Sequence, residues 1–285
     1  MKKPYLYLLL FYFCNISAQD YFSILEKTGQ TMLNSAIESE RVEASKEFER
    51  KIDSLISNDS KLIDADLSEI KSLSALISPD KKFRIFTWSL PLNKGEIKFY
   101  GRVIFLKDKV NKVLVLVDGG LDRSKIETKK LGPESWPGAV YYDLIKKKRR
   151  KKEYYILLGW NGNDAFSNKK VIEVLQFDLA SEKLSFGAPI FQGKRLEYRK
   201  IFEYSEKASM SLKFWLKGDK IVFDHLSPIE ISQKDQFEFY SPDFTYDVYT
   251  WVKGRWILET NIDMRNDGLN EGDQKKKPQK GLEQR

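Results

Sequence analysis

From Phe83 to Glu259 short strand-like runs follow one another at intervals of about 10 to 15 residues, and no long helical pattern comes between them. The runs include Phe83–Leu90, Glu96–Leu106, Lys112–Val117, Ala139–Ile145, Tyr154–Leu158 and Val171–Asp178. They continue with Lys183–Phe186, Lys200–Tyr204, Met210–Leu216, Lys220–Asp224, Gln236–Tyr240, Tyr246–Val252 and Arg255–Glu259. All are rich in Phe, Tyr, Ile, Leu or Val, which fit a pleated, half-buried surface. A parallel crossover needs roughly a dozen residues or more, so connections this short require antiparallel pairing. Asn93-Lys94-Gly95-Glu96, Gly218-Asp219 and Lys253-Gly254 supply tight-turn chemistry between the runs. The spacing predicts an α+β chain, with N-terminal amphipathic helices packed on a large antiparallel β-sheet that curls into a barrel or a sandwich. A small β-propeller is the alternative, ranked lower because no residue pattern repeats at a fixed period.

Residues 19–79 carry the helical expectation. Phe48, Ile52, Leu55 and Ile56 form one apolar stripe on a charged helix, which Asn58-Asp59-Ser60 breaks. Asp66-Leu67-Ser68-Glu69 has the form of a capping box, and Ile70, Leu73, Leu76 and Ile77 would line a second helix stopped by Pro79. Residues 80–262 form the β-domain. Residues 263–285 are polar and charged, with almost nothing apolar, and read as a disordered tail.

Residues 1–18 read as a secretory signal peptide. Lys2-Lys3 form a basic start, Tyr5–Phe13 an apolar segment, and Asn15-Ile16-Ser17-Ala18 a small-residue end. The apolar segment is shorter than the roughly 20 residues of a spanning helix, so an N-terminal anchor fits less well, and no span is expected in the mature chain. Lipidation of Cys14 is a further alternative, although the bulky Phe11-Tyr12-Phe13 precedes it. Cys14 is the single cysteine, so the mature protein would hold no disulfide and no thiolate metal site. With 285 residues and 41% hydrophobic content, the core is large enough to stand without such staples.

The formal charge of +8 is concentrated in one place. Lys146, Lys147, Lys148, Arg149, Arg150, Lys151 and Lys152 contribute seven of those charges, and the rest of the chain is close to neutral. The run falls between Ala139–Ile145 and Tyr154–Leu158, so it reads as the charged tip of a hairpin. In an exported protein such a tip suits an anionic glycan, a lipid headgroup or another envelope protein, and export argues against nucleic acid. A solvated tip kept open by like-charge repulsion is the plainer reading.

Several polar clusters can be read two ways. Trp160-Asn161-Gly162-Asn163-Asp164, between the runs ending at Leu158 and starting at Val171, offers amide and carboxylate oxygens beside an aromatic platform. That is the equipment of a sugar or Ca²⁺ site, and equally of a structured turn. His225 is the only histidine, which excludes a multi-histidine zinc site, and no G-x-S-x-G elbow accompanies it. The simpler reading is a strand-end histidine that holds a turn with Asp224 and Ser227. Asp243 and Asp247 could place paired carboxylates on one strand face, as glycoside hydrolysis requires, although Pro242 marks a turn there. Glu203 and Arg199 read as a surface ion pair on a hairpin around Ser205–Ser209. Asp263-Met264-Arg265-Asn266-Asp267-Gly268 resembles the start of an EF-hand, but Arg265 stands where an oxygen ligand is required. No metal site and no cofactor follow from these residues.

LLGWNGND (157–164), SNKKVIEVLQF (167–177), FGAPIF (186–191), IFEYSEKASMSL (201–212), IVFDHLSP (221–228) and YSPDFTYDVYTW (240–251) occur in this order, preceded by FRIFTWSLP (83–91) and WPGAVYYDLI (136–145). Together, over Phe83 to Leu258, they resemble a family of uncharacterised exported proteins of Bacteroidota. The resemblance implies a Gram-negative envelope location and supplies no catalytic residues. The expectation is therefore an exported envelope protein in the periplasm or cell envelope, acting as a non-enzymatic binding or structural module. An extracellular or lipid-anchored location is the alternative. A carbohydrate-active hydrolase built on Asp164, Asp243 or Asp247 is the alternative function.

Overall fold

The computed structural model describes residues 18–58, 65–105, 112–178, 183–193, 195–216 and 218–262. The leader up to residue 17, Cys14, and the tail with its residues 263–268 lie outside the described residues.

Two helices open the described chain, α1 (Ala18–Asn34) and α2 (Glu38–Asn58). The expected stripe is the packed face of α2, where Phe48, Ile52 and Ile56 are buried with Leu25 and Met32 of α1. The second expected helix does not form. Asp66 accepts the Ser68 backbone N–H as a turn, and single i to i+3 bonds follow from Ile70 to Leu67 and from Leu73 to Ile70. Strand β1 (Ser74–Ile77) then pairs with β2. Leu67, Ile70 and Leu73 are buried in the same core as the helices. Their spacing served two successive turns, and β2 claimed the following backbone for its edge.

Among the described residues thirteen strands make three separate antiparallel sheets, none of which closes on itself, in place of one curled sheet. Sheet 1 has the order β1–β2 (Phe83–Pro91)–β3 (Ile97–Phe105)–β4 (Lys112–Leu116). Sheet 2 is β5 (Val140–Arg149)–β6 (Lys152–Asn161)–β7 (Ser167–Asp178)–β8 (Lys183–Phe186), and β9 (Lys200–Ser205) also pairs with β7. Sheet 3 is β10 (Leu212–Trp215)–β11 (Lys220–Pro228)–β12 (Tyr240–Val252)–β13 (Arg255–Ile262). Each sheet is built around consecutive strands in meander order. A short helix, α3 (Arg123–Ile126), lies in the connection between sheets 1 and 2. The expected run Gln236–Tyr240 is not a strand, because Phe237–Phe239 form a 3₁₀ turn before β12.

Among the described residues period-2 alternation sorts the buried apolar side chains into three clusters. Phe86, Trp88 and Leu90 of β2 face the helices. Phe83 and Ile85 face the other way, against Tyr155 and Leu157 of β6 and Val171 and Leu175 of β7. Ile156, Leu158, Ile172 and Val174 point to the opposite side, against Ile221, Phe223, Tyr249 and Trp256 of sheet 3. Arg102 of β3 clasps the helical layer: its guanidinium reaches Asp53 and Glu49 of α2 at 2.8 and 2.6 Å and lies over the Trp88 ring.

The middle sheet encloses a fully buried ion pair. Glu173 and Arg199 are both fully buried, with Arg199 Nε 2.7 Å from Glu173 Oε2. Burial pushes the Glu173 carboxyl up, against the pull of Arg199 and of the Val174 N–H. The remaining Arg199 donors reach the carbonyls of Ile126, Lys129 and Phe186. This corrects the expected Arg199–Glu203 surface pair. Glu203 instead accepts from Ser167 at 2.7 Å and lies 3.6 Å from Lys169. The expected hairpin at Ser205–Ser209 is also absent, because β9 belongs to sheet 2 and β10 to sheet 3.

Removing one partner of such a pair leaves an uncompensated buried charge. Arg199→Met is expected to cost about 3–5 kcal/mol in urea denaturation, and Glu173→Leu combined with it to restore most of that loss. A single variant as stable as the parent would show that the pair does not hold the middle layer.

Candidate functional site

The expected hairpin is present, and most of the basic run lies in its strands, beyond the tip alone. β5 continues through Arg149 and β6 resumes at Lys152, so only Arg150 and Lys151 form the turn, with Arg150 at φ 55°. Alternation then sorts the charges by face. Lys146 pairs across the ladder with Tyr155, on the sheet 1 side, and Lys147 with Tyr154, on the sheet 3 side. Lys146 meets Asp80 at 2.7 Å and Glu153 at 2.6 Å. Lys82 joins the same two carboxylates at 3.3 and 2.5 Å, and the Tyr155 hydroxyl donates to Asp80 at 2.8 Å. Burial raises the Asp80 carboxyl, but the hydrogen bonds from Lys146 and Tyr155 outweigh it and hold the group well below the usual carboxylate range. Lys147 is buried, ion-paired with Asp219, and its ammonium lies 5.0 Å from the Phe214 ring centre and 5.5 Å from that of Trp256. Both lysines are committed to packing the hairpin.

The other five basic residues are placed differently. Lys148, Arg150, Lys151 and Lys152 are exposed and Arg149 is half-buried, and no ion pair of theirs is found among the described residues. Lys148, Arg149 and Arg150 line a cleft of about 350 Å³ with Lys253 and Gly254, the turn between β12 and β13. Lys253 (φ 48°) and Gly254 (φ 84°) make a tight turn that brings the backbone against the Arg149 stem. A Cβ on Gly254 would lie 2.5 Å from Arg149 Cγ, so a side chain there would push the arginine out. The cleft therefore joins four basic side chains from two sheets, with no carboxylate in its lining. Lys253 was readable in the sequence only as a turn residue, and its charge gave no hint that the turn would face the run.

The Trp160–Asp164 stretch is a fully bonded turn. Asn161 accepts the Asn163 N–H at 2.8 Å and donates to the Gly138 carbonyl at 2.6 Å. Asp164 accepts from the N–H groups of Phe166 and Ser167, and Asn163 accepts from Lys169 at 2.6 Å. The Trp160 ring stands edge-on to Phe99 at 6.4 Å. The side-chain oxygens of Asn161, Asn163 and Asp164 thus accept hydrogen bonds from this connection and from Lys169 of β7, and Asp164 stays exposed.

His225, Asp243 and Asp247 do converge, at irregularities in sheet 3. The β11–β12 register breaks between Asp224 and Leu226, and the β12–β13 register between Tyr246 and Val248. Bulges of this kind re-aim side chains. His225 Nδ1 lies 3.0 and 3.1 Å from the two Asp247 oxygens, and Nε2 lies 4.0 Å from Asp243. Asp247 also accepts the Asn261 N–H at 3.1 Å. Burial raises the Asp243 carboxyl, yet the Thr245 hydroxyl and N–H, with His225 nearby, bring it below its ordinary value. The expected partner Asp224 instead accepts the Ser211 N–H at 2.7 Å, and burial pushes its carboxyl up. Phe244, between the two aspartates, adopts φ 70° and is 95% exposed. This group belongs to sheet 3, whereas Trp160, Asn161, Asn163 and Asp164 lie at the β6–β7 turn of sheet 2, and no hydrogen bond or ion pair joins the two groups among the described residues. Among the described residues no group of three or more His, Cys, Asp or Glu is arranged to hold a metal ion.

No family model matches the chain, and neither does any curated protein or solved structure.

A carboxylate held below its unfolded value stabilises the fold above that value and loses the contribution as pH falls. Asp80→Asn is therefore expected to flatten the acid side of the stability profile. Between about pH 5 and pH 3 the parent should lose more melting temperature than the variant. Parallel losses would show that the Asp80–Lys146–Tyr155 cluster does not set the acid sensitivity.

Proposed function

We propose that this protein is exported to the bacterial cell envelope and serves there as a non-enzymatic module that binds anionic lipid headgroups through the β5–β6 hairpin end. One observation carries the reading: Lys148, Arg149, Arg150 and Lys253 meet in one cleft without a carboxylate, while Lys146 and Lys147 are neutralised below them. Arginines offer planar forks that match phosphate oxygens in pairs, and lysines add point charge. The leader-like residues 1–18 and the resemblance to exported Bacteroidota proteins support the envelope location. On architecture, we read the three sheets as stacked in the manner of a sandwich. The meander in each sheet is also the unit from which propeller blades are built.

Each basic side chain near an anionic surface contributes roughly 1 kcal/mol. Replacing Lys148, Arg149, Arg150 and Lys253 together by Gln is expected to lower partitioning onto vesicles of phosphatidylcholine and phosphatidylglycerol by about two to three orders of magnitude. Circular dichroism should be unchanged. Undiminished partitioning would overturn the assignment.

A second reading, a carbohydrate-active hydrolase, is favoured by the meeting of Asp243, Asp247 and His225 beside the exposed Phe244 ring. Its test is release of nitrophenol from aryl glycosides. Turnover that disappears in both Asp243→Asn and Asp247→Asn would establish it, and absence of turnover across such a panel would set it aside.

A further inference from the structure

The hairpin that presents the basic run has a cationic cleft on each of two flanks. Besides the cleft shared with the β12–β13 turn, a larger one of about 670 Å³ runs beside β6, β7 and β8. Lys130, Lys151, Lys152 and Lys183 line it, with Gln176 and Ser185 among the uncharged polar groups. All four lysines are exposed. Two carboxylates also face it, Glu153 and Asp178. Glu153 is engaged by Lys82 and Lys146, so its charge is answered from within the fold. The two clefts differ in character. The smaller has both arginines and no acid, and the larger has lysines as its only cations, together with two carboxylates and with amide and hydroxyl groups. They meet at the turn, where Arg150 lines one and Lys151 the other.

We propose that the natural ligand carries two phosphate-type groups joined by a short, hydroxyl-bearing spacer, and that it straddles the hairpin turn with one phosphate in each cleft. This rests on the anion-binding reading above and specifies its ligand class. A two-stranded ribbon with its side chains is about 10 Å thick, so a spacer of one or two sugar rings or a diglycerol unit reaches across. The arginine cleft fixes one phosphate by paired hydrogen bonds. The lysine cleft holds the second by charge, and Gln176 and Ser185 face the spacer. Occupying both clefts makes the second contact intramolecular, so a two-phosphate ligand gains far more than twice the affinity of a single one.

The test uses the full mature chain in calorimetric titrations with glucose 1,6-bisphosphate and with glucose 6-phosphate, and in co-sedimentation with phosphatidylcholine vesicles carrying cardiolipin or phosphatidylglycerol at equal phosphate content. The two-phosphate probe should bind on the order of 100-fold more tightly than its one-phosphate counterpart. Preference among the soluble sugars identifies the phosphosugar unit as sufficient. Preference only between the vesicles identifies a lipid source for the same chemistry. Lys130→Gln with Lys183→Gln should bring the ratio of two-phosphate to one-phosphate affinity close to one. Lys148→Gln with Lys253→Gln should weaken both ligands. Equal affinity for the one- and two-phosphate probes, with loss of both in the Lys148/Lys253 variant, would overturn the two-phosphate inference and leave the proposed function standing. No affinity for any of the probes would overturn both.

Discussion

The middle sheet has no face left for water, and the rest of the molecule is arranged around that fact. An antiparallel sheet ordinarily alternates apolar and polar residues because one side is solvated. Tyr154–Leu158 and Val171–Leu175 do not alternate: every residue in both stretches is buried, with sheet 1 on one side and sheet 3 on the other. The outer sheets differ in turn. Sheet 1 needs the helical layer over Phe86 and Trp88, because β2 is buried along nearly its whole length. The fully buried acid Glu173 is tolerated because Arg199 answers it with charge and also donates to the Ile126 and Lys129 carbonyls of the preceding connection and to the Phe186 carbonyl of β8. That pair ties the strands of sheet 2 to the segments entering and leaving them.

Much of this was legible in the sequence where local chemistry decides the outcome. The runs around Phe83–Leu90, Tyr154–Leu158 and Val171–Asp178 became strands because β-branched and aromatic residues dominate them. Gly218-Asp219 and Lys253-Gly254 became tight turns because they tolerate positive φ. The errors fall where a distant partner decides. Residues 66–77 satisfy a helical spacing, yet the open edge of β2 draws Ser74–Ile77 into a ladder. Lys200–Tyr204 and Met210–Leu216 sit close enough for a hairpin but join different sheets. Arg199 looked like a surface cation beside Glu203, and nothing local reveals that Glu173, far upstream, waits inside.

The site shows the same division. The concentration of charge at Lys146–Lys152 was plain, and so was its position between two strands. Its partition was hidden, because it depends on Asp80 and Asp219, which approach from sheets 1 and 3. Alternation alone could have separated Lys146 and Lys148 from Lys147 and Arg149, but not named which pair of neighbours would neutralise which lysine. Lys253 was invisible as a site residue because its place beside Arg149 is purely tertiary. The Trp160–Asp164 loop had the composition of a binding loop. Asn and Asp that hold their own backbone have the same composition, so composition alone does not separate the two readings.

The closeness of Gly254 to Arg149 carries a mechanical consequence. The last hairpin of sheet 3 closes onto a surface that already holds Lys148, Arg149 and Arg150, and it brings Lys253 with it. Docking of that hairpin therefore adds a further cation to a corner whose cleft lining holds no carboxylate. Mobile ions screen repulsion between like charges over about 8 Å at physiological ionic strength. Screening therefore eases the approach of Lys253 to the arginines at this corner, whereas it would weaken an attractive ion pair.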